Sequence, residues 1–250
     1  MRVLAAGRLK GLAVSALVAG SVACVANDSG RERQPPTSSV PAAGGSSRAG
    51  PAPAADARPR VVVLGDSLTA GLGLAVEDAY PSLLQRRLDD GGWRYRVANA
   101  GVSGDTSAGG LARLDLALEG DVRVLIVALG GNDALRGLPP DELRRNLSSI
   151  IERAQQRGVA VILAGMEAPP NFGPAYTAAF RAVYRSVAMR YQVAFIPFLL
   201  EGVAGVERLN QRDGIHPTAE GDRMMADTLW AVLEPVLQRL ETRGKGTPGS

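Results

Sequence analysis

The sequence predicts an α/β fold: a three-layer sandwich with a five-stranded parallel sheet and helices on both faces. Three observations carry this. Short strand-like runs, most of them continuously apolar, recur at residues 61–64, 95–98, 124–129, 159–164 and 193–196, and strands without polar alternation are those buried on both faces. Between the runs lie stretches with apolar residues at helical spacing, and right-handed crossovers of that kind generate a parallel sheet covered on both sides. Finally, the roughly 180 residues from 60 to 240 suit one domain with a sizeable core.

Before that domain the chain reads as something else. Residues 1–23 carry Arg2, Arg8 and Lys10, followed by an uncharged stretch from 11 to 23. This is the pattern of a secretory signal, too short for a stable bilayer anchor. The only cysteine, Cys24, follows directly, and Ser21-Val22-Ala23-Cys24 resembles a bacterial lipoprotein box, with Ser21 where an aliphatic residue is usual. Lipidation of Cys24 is the expectation; ordinary cleavage nearby is the alternative. Residues 24–59 turn to Ser, Pro, Ala and Gly, with Val40 the one large aliphatic after residue 26. Such a segment cannot bury enough apolar surface to offset its ordering entropy and reads as a disordered linker. The expected domain spans 60–241, and 242–250 reads as a polar tail.

Within the domain, residues 80–88 form a short helix with Pro81 at its first turn. Residues 108–118 place Leu111, Leu114 and Leu118 on one face. Residues 141–157 align Leu143, Leu147, Ile150, Ile151 and Ala154 and stop at Gly158. Residues 175–191 form another helix, with Phe180, Val183 and Val187 inward. The last begins after His216-Pro217 and buries Met225, Leu229, Val232 and Val236; Pro235 predicts a kink or early end.

The formal net charge of +3 is matched by the three basic residues of the signal, leaving the remainder near neutral. No basic stripe with interleaved aromatics is present, so nucleic acid is not an expected partner. One histidine and one cysteine supply too few ligands for a zinc or iron–sulfur site; chemistry without metal or cofactor is expected.

Polar and glycine residues cluster at strand ends, where an open α/β sheet binds its ligands. The first strand ends in Gly65-Asp66-Ser67. Ser67 there is either a turn-capping residue or a nucleophile. The sole histidine, His216, sits at a loop-to-helix junction with Asp213 three residues before it. That spacing lets a carboxylate accept the Nδ1–H while Nε2 faces outward to activate a hydroxyl. Gly104 can bring a backbone N–H close to a ligand, Asn132 follows two glycines, and the Ser67 N–H is a third donor. Together they fit an oxyanion hole, and singly each is an ordinary turn residue.

Gly65-Asp66-Ser67-Leu68, Gly104, Gly130-Gly131-Asn132-Asp133 and Asp213-Gly214-Ile215-His216-Pro217 resemble, in order, the four sequence blocks of the SGNH/GDSL hydrolases. Residues 103–107, 130–137 and 165–173 resemble more closely the bacterial periplasmic type variously called acyl-CoA thioesterase I, lysophospholipase or arylesterase. The resemblance implies a flavodoxin-like sheet, a catalytic triad of Ser67, His216 and Asp213, and an oxyanion hole of Ser67, Gly104 and Asn132. Asp66 and Asp133 would support the site. Thr69 stands where a G-x-S-x-G elbow needs its second glycine, which argues against the α/β-hydrolase fold. The expected substrate is a small acyl ester, thioester or lipid, met outside the cytoplasm by a chain tethered to a membrane through Cys24. Residues 71–79, 165–176 and 198–209, with Leu72, Leu74, Met166, Phe172 and Leu199, would line an acyl groove or simply pack. Two other readings stay open: a carbohydrate O-acetylesterase, and a non-catalytic tethered binding lipoprotein.

Overall fold

The computed structural model describes residues 57–245. The signal (1–23), Cys24, the linker up to residue 56 and the last five residues lie outside the described residues.

Strand β1 (Arg60–Gly65) has Val61, Val62, Val63 and Leu64 with no exposed surface, so side chains on both its faces contact protein. Each such side chain contributes about 1.5–3 kcal/mol by leaving water. The chain then passes through the single-turn helix α1 (Ser67–Ala70) and α2 (Tyr80–Asp90) to strand β2 (Arg96–Gly101). Helices α3 (Ser107–Ala112) and α4 (Leu114–Ala117) lead to β3 (Val122–Ala128), and α5 (Gly131–Leu135) and α6 (Pro140–Gln156) to β4 (Ala160–Ala164). Helix α7 (Pro174–Tyr191), β5 (Ala194–Ile196) and α8 (Ala219–Lys245) complete the order. All strand pairs are parallel, and the sheet order is β2-β1-β3-β4-β5. Helices α2 and α8 pack together on one side, while α6 packs against α3 and α7 on the other. The three-layer, flavodoxin-like expectation therefore holds.

This order positions the site. From β1 the chain runs outward to β2, then returns past β1 to β3, so the connections leaving β1 and β3 diverge and a crevice opens at their carboxyl ends. Gly65 lies in register beside Ala128, so the turns after both strands leave the sheet at one level.

Several local expectations need correction. The 108–118 helix breaks at Arg113, whose φ of −107° and ψ of 12° separate α3 from α4; Leu114 and Leu118 are buried but Leu111 only partly. Strand β2 runs on through Asn99 and Ala100, because pairing to Val63 and Leu64 supplies order that their strand propensity does not. In α8, Leu233 is fully buried while Val232 only packs against the core. Pro235 lies inside that helix without ending it, and the helix continues through Lys245, four residues into the stretch read as a tail. Among the described residues, no helix is long and apolar enough to cross a membrane.

One buried carboxyl ties the two ends of the domain together. Asp222, in the first turn of α8, is 1% exposed and accepts the Tyr80 N–H at 2.8 Å. It thereby caps α2, whose own preceding residue, Ala79, offers no side-chain hydrogen bond. Burial pushes this carboxyl up to about 7 from an ordinary 3.8. Between about pH 4 and pH 7 the unfolded chain releases a proton that the folded chain retains, so stability falls as pH rises through that window and levels off above it. Asp222→Asn keeps an acceptor for Tyr80 without the charge. Its thermal midpoint, relative to wild type, is expected to be several degrees higher at pH 8 than at pH 4. An equal offset at both pH values in paired thermal melts would refute the assignment.

Candidate active site

Ser67 is the first residue of α1, two residues beyond β1. Asp66 caps that turn by accepting the Leu68 N–H on Oδ1 at 3.1 Å, which directs the serine side chain into the crevice. Asp66 is itself buried (3% exposed). Desolvation lifts its carboxyl to about 6, against the opposing hydrogen bonds from Leu68 and Asn132.

The imidazole arrives from the opposite end of the chain. Asp213 accepts the N–H groups of Ile215 and His216 on Oδ1, at 2.9 and 3.0 Å, closing a tight turn with Gly214 at φ 71°. Its Oδ2 lies 2.7 Å from His216 Nδ1, and His216 Nε2 lies 2.9 Å from Ser67 Oγ. These bonds, led by the two backbone ones, lower the Asp213 carboxyl to about 2. Asp213 is thus a carboxylate at any pH near neutrality, so Nδ1 carries the proton it accepts and Nε2 is left as an acceptor toward Ser67.

The residues of the other two blocks converge on the same crevice. Asp105 N–H donates to the Val102 carbonyl at 3.0 Å, closing a turn in which Gly104 occupies the third position with φ 84°. That conformation is strained for any residue with a Cβ. Arg136 Nη2 holds the Gly104 carbonyl from outside at 2.8 Å, and among the described residues no acceptor takes the Gly104 N–H. Asn132 lies in α5, which opens at Gly130 with φ 116°. Gly130 is needed there for space as well, since a Cβ would sit 2.0 Å from the Tyr184 hydroxyl, which donates to the Leu129 carbonyl at 2.9 Å. The Asn132 amide donates to the Asp105 carbonyl at 3.0 Å and to Asp66 Oδ2 at 3.2 Å.

Ser67, Gly104, Asn132 and His216 all line one cavity of about 710 Å³. Its remaining wall is largely apolar, including Leu68, Leu72, Leu135, Met166, Phe198 and Leu200. Of the residues considered for an acyl groove, Leu72 and Met166 line it. Leu74 and Phe172 do not, and Leu199 is buried in the core (1% exposed). Leu135 and Ile215, unassigned from sequence, do line it and stand partly exposed at its edge.

The supporting acids have separate tasks. Asp133, 1% exposed, accepts both the N–H and the hydroxyl of Ser107, at 2.8 and 2.6 Å, pinning the start of α3 to α5. Asp66 joins α1 to Asn132. Sequence reasoning missed Arg113, which binds the ends of β1 and β2 and the Asp105 carboxylate. Two of its partners are backbone carbonyls, and no residue-type pattern signals those.

With that geometry in place, comparison with known proteins is informative. The model of the GDSL-like Lipase/Acylhydrolase family matches residues 63–224. Esterase TesA of Pseudomonas aeruginosa is 47% identical over 178 residues, 71% of this chain and 89% of that protein. Thioesterase 1/protease 1/lysophospholipase L1 of Escherichia coli K12 is 36% identical over 180 residues, 71% and 84% of the two chains. A crystal structure of TesA matches with a TM-score of 0.69 at 46% identity, covering 71% of this chain and 99% of that one.

Proposed function

Since this chain belongs to the GDSL-like lipase/acylhydrolase family and is a serine ester hydrolase, we propose that Ser67 is its nucleophile, His216 its general base and Asp213 the carboxylate that orients the imidazole. The observation that carries this is the unbroken relay of 2.7 Å from Asp213 to Nδ1 and 2.9 Å from Nε2 to Ser67 Oγ.

In the acylation step Oγ attacks the carbonyl carbon while Nε2 takes the hydroxyl proton, and the Asp213 carboxylate stabilises the imidazolium. The carbonyl oxygen becomes negative and accepts hydrogen bonds from the Ser67 and Gly104 N–H groups and the Asn132 amide. The amide exchanges its longer bond, the 3.2 Å one to Asp66, for the oxyanion. Collapse expels the alcohol or thiol, which receives the proton from Nε2. Water then attacks the acyl-enzyme, giving its proton to Nε2, and the acid leaves with Ser67 restored.

The apolar cavity supports an acyl chain rather than a sugar as the recognised portion, because aliphatic walls offer a hydroxylated ring no hydrogen bonds. Lysophospholipids and comparable long-chain esters fit it, in keeping with the lysophospholipase activity in the name of the E. coli relative. The signal-like residues 1–23 and Cys24 support export and lipid anchoring in the envelope, where cytosolic acyl-CoA is not met. The domain is proposed to begin at residue 60, after a Ser-, Pro-, Ala- and Gly-rich tether.

One mass-spectrometric experiment tests both parts. Full-length chain isolated from the cell envelope and treated with a long-chain organophosphonate is expected to carry the adduct on the peptide containing Ser67 and a lipid on Cys24. An adduct elsewhere sinks the nucleophile assignment; an unmodified Cys24 sinks the anchor.

A further inference from the structure

The amide of Asn132 is held by acceptors on two different loops, and one of them is itself fixed by a side chain with no part in the chemistry. Arg113 Nε donates to Asp105 Oδ2 at 2.6 Å, Nη1 to the Ala100 carbonyl at 2.7 Å and Nη2 to the Gly65 carbonyl at 2.8 Å. The guanidinium therefore joins the last residue of β1, the penultimate residue of β2 and the loop that follows β2. The Asp105 carbonyl, on that loop, receives Asn132 Nδ2. Arg113 and Asp105 side chains are only 21% and 18% exposed, so water competes weakly for these bonds. The break between α3 and α4 falls at Arg113 itself.

From this the geometry points to Arg113 as a positioning residue that sets the Asn132 amide relative to Ser67, acting through Asp105. Ser67 begins α1, just past the end of β1, and Asn132 lies in α5, just past β3. The guanidinium fork references the carbonyl of Asp105 to Gly65, two residues before the nucleophile, so the amide is located from the same strand end as the hydroxyl it serves. A planar fork with donors in fixed directions can do this, whereas an ammonium cannot satisfy three acceptors so placed. A donor displaced by a fraction of an ångström loses its advantage in the transition state while substrate binding is little changed.

With Asn132 taken as an oxyanion donor, as proposed above, the test is a double-mutant cycle on a short chromogenic ester. Asn132→Ala is expected to lower kcat by about 10²–10³-fold. Arg113→Lys is expected to lower kcat by about 10-fold or more with KM within about two-fold, the signature of an interaction made in the transition state. In the Asn132→Ala background, Arg113→Lys is expected to cost less than about three-fold, since the amide it positions is gone. Asp105→Asn should behave as Arg113→Lys does, and it carries the test if the lysine variant fails to fold. Full additivity of either variant with Asn132→Ala overturns the role of Arg113. A normal kcat for Asn132→Ala alone overturns the oxyanion assignment instead, so the two failures are distinguishable.

Discussion

Ser67→Ala is expected to lower kcat for a short chromogenic ester by about 10⁴-fold or more, to the level that the oxyanion donors and binding alone supply. Among the described residues, no other hydroxyl hydrogen-bonds to His216 Nε2. The hydroxyl bonds to His216, and the turn around it is held by the Asp66 carboxylate and by backbone bonds from Ala70 to Asp66 and Leu72 to Ser67. Removing Oγ therefore leaves the fold in place, and the thermal midpoint should shift by no more than a few degrees. Steady-state rates and a melt on the same preparation decide the matter: a folded variant keeping more than about 1% of wild-type kcat is incompatible with Ser67 as nucleophile.

Substituting His216 by Ala should cost nearly as much, because a serine hydroxyl without a base is a weak nucleophile. The two losses should not multiply. The Ser67→Ala, His216→Ala double variant is expected to be no slower than Ser67→Ala alone, since the pair acts as one unit. Asp213→Ala is expected to be milder than either of these. Its side chain is 46% exposed, so water can partly replace the acceptor that orients Nδ1–H. Because Asp213 stays ionised down to about pH 2, activity lost in mildly acidic buffer would not arise from its protonation. Kinetics of the three single and one double variants check this; multiplicative losses at Ser67 and His216 would separate the two residues mechanistically.

What the sequence disclosed and what it hid follow from the range of the forces involved. The β1 and β3 runs were readable because residues buried on both faces must all be apolar, and α6 because its stripe repeats at 3.6. The relay of Ser67, His216 and Asp213 was readable because each residue type is scarce or chemically distinctive in its setting. Edge strand β2 was under-read, since Asn99 and Ala100 are strand only by pairing with β1. Leu199 and Leu200 are both buried, yet only Leu200 lines the cavity, and no local periodicity distinguishes them in an irregular loop. Arg113 broke a helix and joined three segments through contacts that tertiary structure alone creates.

The serine and its base are separated by 149 residues, and the base sits just ahead of α8, whose Asp222 must reach back to Tyr80 to close the domain. A ribosome therefore releases the hydroxyl long before the imidazole. On the proposed assignment, nascent chains carry the attacking group without the means to activate it, and hydrolytic competence arrives only with the final stretch of polypeptide. Timing of activity is thus written into chain order.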